Sequence, residues 1–251
     1  MAVILDKLNF NNKKILVTGA SSGIGKQTAI VLSNLGARLV LVARDITRLD
    51  ATLSRMNGDG HKVISLDIAN EEDLTSLFKE AIEDGKKLNG LVHCAGMSQV
   101  LPVSMLTKER LVKEMAINYF SYIELIRQFS KKKFSEGGSI VGISSIAADR
   151  PAKCQTNYAA SKDAMNVATQ ALAIELAEKR IRINTVLPGM VMTEMATGIS
   201  NLGVSLEMIE EQQLLGACTT DDIVNTIVFL LSDLSCKITG RKIFVDAGRL
   251  L

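Results

Sequence analysis

Seven short apolar runs, many of their residues β-branched, punctuate the chain: KKILVTG (13–19), RLVLVA (38–43), KVISLD (62–67), GLVHCAG (90–96), SIVGISS (139–145), RINTVLPG (182–189) and KIFVDAG (242–248). Most are nearly continuous in Val, Ile and Leu. A strand with one wet face needs a polar side chain at every second position, so unbroken runs point to strands covered on both faces. Helical stretches lie between them. Asn70-Glu71-Glu72-Asp73 and Thr219-Thr220-Asp221-Asp222 each offer a capping side chain followed by acids, where a helix start has free N–H groups. Two longer helices are predicted over residues 107–132 and 156–179, and the β-α-β alternation holds throughout, with no repeat, no Pro-rich linker and only three prolines. The expected fold is α/β: a doubly wound, Rossmann-type parallel seven-stranded sheet with helices on both faces, in a single domain over 1–251.

Composition narrows the partners. Lys and Arg number 29 against 27 Asp and Glu, and a net charge of +2 gives no field that would select nucleic acid or an anionic membrane. Cys94, Cys154, Cys218 and Cys236 are widely spaced, with only His61 and His93 beside them, so neither a metal site nor a disulfide framework is expected. The N-terminal apolar run is broken by Asp6 and Lys7 and lacks a basic start and a cleavage site. No stretch reaches the roughly 18 uninterrupted apolar residues of a membrane span. A reduced, soluble, cytoplasmic protein acting on a small molecule is expected.

The first strand runs into TGASSGIG and then into a helical segment. Gly19, Gly23 and Gly25, with Ser21, Ser22 and Ile24 between them, suit a tight turn that lets backbone approach a phosphate at a helix N-terminus. Cofactor choice is expected at the end of the second strand, where an acid would bind a ribose 2′-OH and an arginine suits a 2′-phosphate. That strand ends in Ala43 and Arg44 with no acid at the turn, which favours NADP(H) over NAD(H).

TGASSGIG, Asn118 in AINYF, Ser145 closing GSIVGISS, and Tyr158 with Lys162 in YAASK together resemble the short-chain dehydrogenase/reductase superfamily, with the closest flavour in its 3-oxoacyl-[acyl-carrier-protein] reductase-like branch. The resemblance covers nearly the whole chain, including LPGMVMTEM and ITGRKIFVDAG. Ser145 precedes Tyr158 by 13 positions, the family's usual separation, and this selects it over Ser144. A phenol has a pKa of about 10. Lys162 lies four residues on, on the same helix face, and its charge is expected to draw the phenol toward the working pH.

The resemblance implies that Tyr158 gives a proton to a carbonyl reduced by hydride, that Ser145 hydrogen-bonds the same oxygen, and that Lys162 also binds the nicotinamide ribose. It implies that the Asn118 backbone holds a water linking Lys162 to solvent. Asp67 either caps the next turn or, with Ile68, meets the adenine. Ala95 and Gly96 give the cofactor close approach, while Pro188, Gly189, Val191 and Thr193 belong to its nicotinamide side. A substrate lid is expected over 190–216, with Met190, Met192, Met195 and Met208 either lining an adaptable pocket or packing in the core.

One departure stands out. The fourth strand ends in HCAG where the family has NNAG, so Cys94 replaces an amide that ties this strand to its neighbours. Its thiol is read as a buried, inert group, with a reactive thiol as the alternative. Basic clusters at Lys131-Lys132-Lys133 and Lys179-Arg180-Arg182 would suit an acyl carrier protein, or are simply solvated helix ends. Small residues on the second long helix (Ala159, Ala160, Ala164, Ala168, Ala171), together with the resemblance, imply a homotetramer. The expected activity is NADPH-dependent reduction of a ketone such as a 3-oxoacyl thioester. The alternatives are a sugar or other small ketone, or a non-catalytic NADP-binding sensor or scaffold.

Overall fold

The computed structural model describes residues 6–194 and 212–250. Its seven strands are β1 (Lys14–Thr18), β2 (Arg38–Ala43), β3 (Lys62–Ser65), β4 (Leu88–His93), β5 (Ser135–Ile143), β6 (Ile181–Pro188) and β7 (Lys242–Val245). They form one sheet in the order β3-β2-β1-β4-β5-β6-β7, with every neighbouring pair parallel. The main helices are α1 (Gly23–Asn34), α2 (Ile46–Leu53), α3 (Glu71–Ala81), α4 (Lys108–Met115), α5 (Ser121–Phe129), α6 (Thr156–Leu176) and α7 (Thr220–Leu231).

The unbroken apolar strands are explained by two cores. Leu16 packs into one core and its neighbours Ile15 and Val17 into the other, as alternation along a strand requires. The first core is completed by Leu74 and Phe78 of α3, Leu125 of α5 and Met165 of α6. The second is completed by Ala29 and Leu32 of α1, Leu49 of α2 and Ile223 and Val224 of α7. Each fully buried Val, Leu or Ile contributes about 1.5–3 kcal/mol relative to exposure. Strand order reverses between β1 and β4, and such a reversal opens a crevice at the carboxyl ends of the strands.

All seven expected strands form, with bounds that differ at the site. β1, β4 and β5 end at Thr18, His93 and Ile143, earlier than the apolar runs suggest. The small residues that follow leave the sheet and turn into the crevice. The helix expected over 107–132 is interrupted by a wide turn of π type at Ala116–Phe120. Residues 195–211, with Met195, Met208 and most of the expected lid, lie outside the described residues. Among the described residues no helix is long and apolar enough to cross a membrane.

Candidate active site

A cavity of about 830 Å³ lies at these strand ends, walled by residues that follow β1, β2, β3, β4, β5 and β6. Every residue expected to bind cofactor lines it, from Gly19 to Thr193, and so do Ser145, Tyr158 and Lys162. Asn118 alone of the expected set is not in the wall; it is fully buried behind it.

The glycine turn delivers the N-terminus of α1 to the cavity. Gly19 has φ of +66°, and a Cβ there would sit 2.8 Å from the Ala95 nitrogen. A Cβ at Gly25 would overlap the Gly19 carbonyl, so the turn closes only without side chains at both places. Ser22 precedes α1 without a side-chain cap bond, which leaves the first-turn N–H groups available to an anion. These features fit the pyrophosphate of a dinucleotide.

At the end of β2, Arg44 is exposed and lines the cavity. The next residue is an acid: Asp45 also lines the cavity, but its carboxylate caps α2 by accepting from the Arg48 N–H at 3.0 Å. Sequence reading missed Arg48, whose guanidinium binds both carboxylate oxygens of Glu194 at 2.5 and 2.6 Å across the same cavity. Asp67 does cap its own turn, accepting from Ala69 N at 3.0 Å, while still lining the cavity.

Ser145 and Tyr158 are brought together in one wall of the cavity by the end of β5 and the first turn of α6, near enough for the Ser145 side chain to act on the phenol. Ser145 Oγ also accepts from Ala147 N at 3.1 Å. Ser144, the other candidate, spends its hydroxyl on the Lys162 carbonyl at 3.1 Å. Lys162 is buried, with Nζ donating to the Ile143 carbonyl at 2.8 Å and lying 5.9 Å from the centre of the Tyr158 ring.

The electrostatics differ from the sequence expectation. Burial pushes the Tyr158 phenol above 10.0; the Ser145 side chain works against this and the Glu114 charge adds to it. Burial also lowers the pKa of Lys162, to about 8, while its ammonium donates to the Ile143 carbonyl.

Behind these groups the wide turn holds Asn118. Its side chain accepts from Met97 N at 2.8 Å and donates to the Met97 carbonyl at 2.9 Å and to Ser161 Oγ at 2.8 Å. This ties the loop after β4 to α6 through the turn, and π-type turns commonly mark functional sites. Glu114, which sequence reading did not single out, is fully buried. It accepts from Gln99 N at 3.0 Å and Asn157 Nδ2 at 2.7 Å, and burial raises its carboxyl pKa.

The HCAG departure matters less at Cys94, which burial pushes up to about 12, than at His93. Thr18 Oγ1 accepts from Ala95 N at 3.2 Å, so its own proton is assigned to His93 Nδ1, 3.0 Å away. β4 thus remains tied to β1 without the amide. His93 Nε2 is buried without a partner among the described residues; the Asn118 backbone acts on the ring as an acceptor, short of a well-formed bond.

Comparison with known proteins adds four relationships. A family model described as enoyl-(acyl carrier protein) reductase matches residues 19–249. L-xylulose reductase of Caenorhabditis elegans is 35% identical over 246 residues, covering 96% of each chain. Human 3-oxoacyl-[acyl-carrier-protein] reductase is 31% identical over 239 residues, covering 94% of this chain and 98% of its own. A solved short-chain type dehydrogenase/reductase of Mycobacterium ulcerans superposes with a TM-score of 0.89 at 28% identity, covering 96% of this chain and 91% of the other.

Proposed function

This chain belongs to the short-chain dehydrogenase/reductase superfamily, and from that premise we propose that it reduces a small ketone to an alcohol with NADPH, at Ser145, Tyr158 and Lys162. The observation that carries this reading is one cavity lined by both the glycine turn and Ser145, Tyr158 and Lys162. As the chain is an oxidoreductase, the non-catalytic sensor reading is set aside.

A bound nicotinamide supplies the hydride that forms the new C–H bond. Tyr158 gives its phenolic proton to the carbonyl oxygen as negative charge develops there. The raised pKa suits this direction, because the group carries its proton at neutral pH. Ser145 donates to the same oxygen and stabilises that charge. Lys162 holds the cofactor ribose and keeps a positive charge beside the phenol, while Asn118 fixes the loop after β4. The α1 N-terminus takes the pyrophosphate. Arg44 receives a 2′-phosphate, with Asp45 spent on its cap and Arg48 on Glu194.

A 3-oxoacyl thioester is the second substrate reading, supported by similarity to the human 3-oxoacyl reductase and by the exposed Lys132 and Lys133, which would meet an acyl carrier protein. A cytoplasmic homotetramer completes the proposal. The test is to follow NADPH and NADH absorbance over a panel of sugars, diketones, simple ketones and 3-oxoacyl thioesters. Consumption of NADPH well above NADH with a small ketone is expected. Equal or better use of NADH would overturn the reading of Arg44, and turnover of thioesters alone would replace the small-ketone reading.

A further inference from the structure

Two arginines from distant parts of the chain, Arg150 and Arg249, reach the cavity wall shared by Ser145 and Tyr158. Arg150 follows the short turn Ile146–Ala148 that begins at Ser145, and Arg249 follows the turn after β7. Both also line a second cavity of about 450 Å³, so they stand where the two spaces adjoin. Arg249 is half-buried, and its guanidinium pKa is lowered by burial and then by the charge of Arg150. The half-buried Arg249 thus feels the charge of the exposed Arg150 where the two cavities adjoin.

No carboxylate of the described residues forms an ion pair with either of them. The acids nearby are engaged elsewhere. Asp149 binds Lys242 Nζ at 2.7 and 3.1 Å. Asp246 favours the charge on Arg249, yet its carboxylate accepts from Gly248 N at 3.2 Å and Leu250 N at 3.0 Å. Among the described residues Arg249 Nη2 has only the neutral Gln212 Oε1, at 3.2 Å. The acids that line the main cavity, among the described residues, are Asp45, Asp67 and Glu194, which follow β2 and β3 or are bound to Arg48. The end beside Ser145 instead adds a third cation, the exposed Lys153.

We propose that Arg150 and Arg249 form a recognition site for an anionic group, a carboxylate or phosphate, carried by the ketone substrate. This rests on the reading that ketones are reduced at Tyr158. Guanidinium forks match both groups in two-bond geometry, and an anion between them converts their mutual repulsion into two charge-assisted contacts. Lys153 adds charge at the rim. The pair thus selects among small ketones by charge and does no chemistry itself.

The test uses matched ketones that differ in charge: acetoacetate against its methyl ester, and dihydroxyacetone phosphate against dihydroxyacetone. kcat/KM with NADPH is measured for the wild type, Arg150→Gln, Arg249→Gln and the double variant. The wild type should favour one anionic member over its neutral partner by about tenfold or more, as expected for a charge-assisted pair. Which pair shows the preference tells carboxylate from phosphate. The double variant should lose that preference through KM while keeping its rate on the neutral ketone. Neutral ketones reduced as well as anionic ones by the wild type, or both falling equally in the double variant, would overturn the site and leave the ketone-reductase reading standing. Absence of turnover with every ketone would defeat that reading first and the site with it.

Discussion

His93 is the residue whose local cost is clearest. Burial in the first place, and the charge of Lys162 in the second, hold its imidazole pKa down from 6.5 to about 3. Below 6.5 the unfolded chain takes up a proton that the folded chain refuses until about 3. Stability supplied by this residue is therefore present above 6.5 and lost as pH falls through that window. The loss is on the order of several kcal/mol. Urea unfolding of wild type and His93→Asn from pH 7 to pH 4 should show a steeper fall in the wild type; parallel curves would remove His93 as the cause. The sequence directed attention to HCAG, but to the wrong member of it. A thiol in place of an amide is the visible change, whereas the cost of a buried imidazole depends on Thr18 and Asn118, which only the fold brings near. Glu114 and the Arg150–Arg249 pair were hidden for the same reason.

At the scale of elements, the strands were legible because burial on both faces leaves unbroken apolar runs. Their ends were not, because Gly19, Ala95 and Ser145 are small enough to continue a strand or to leave it. The wide turn at Ala116–Phe120 was hidden too, since the partners its Asn118 reaches, Met97 and Ser161, are brought near only by the fold. On α6 the buried face includes Asn157, Ser161, Lys162, Asn166 and Thr169, so apolar periodicity understates a face that motif spacing revealed. The glycine turn makes the element-level prediction. Gly25→Ala drives a methyl group into the Gly19 carbonyl, and relief of such overpacking costs about 1–3 kcal/mol. Because the strain falls on the phosphate turn, NADPH affinity should drop together with thermal stability. An unchanged affinity would contradict the placement of the pyrophosphate there.

At the scale of the molecule, the α4–α5 and α6 region leaves apolar side chains outside. Val112, Phe120, Val167 and Ile174 are 48%, 51%, 59% and 81% exposed, and Ala160 and Ala171 are exposed on α6. Exposed apolar groups among small residues suit close helix pairing across a two-fold axis. Light scattering should give about four times the 27.2 kDa chain mass; an active monomer at assay concentration would defeat the tetramer. Pairing through α6 would also hold Tyr158 and Lys162 in place.

The most direct measurement of the central claim removes the phenolic hydroxyl of Tyr158 and keeps its ring. Tyr158→Phe should bind NADPH, read by its fluorescence, within a few fold of wild type. Its ketone reduction should fall by about a hundredfold to ten-thousandfold, the loss expected for a positioned proton donor. A variant that binds NADPH and retains about a tenth or more of wild-type turnover would contradict the account, because the proton would then reach the carbonyl from another group.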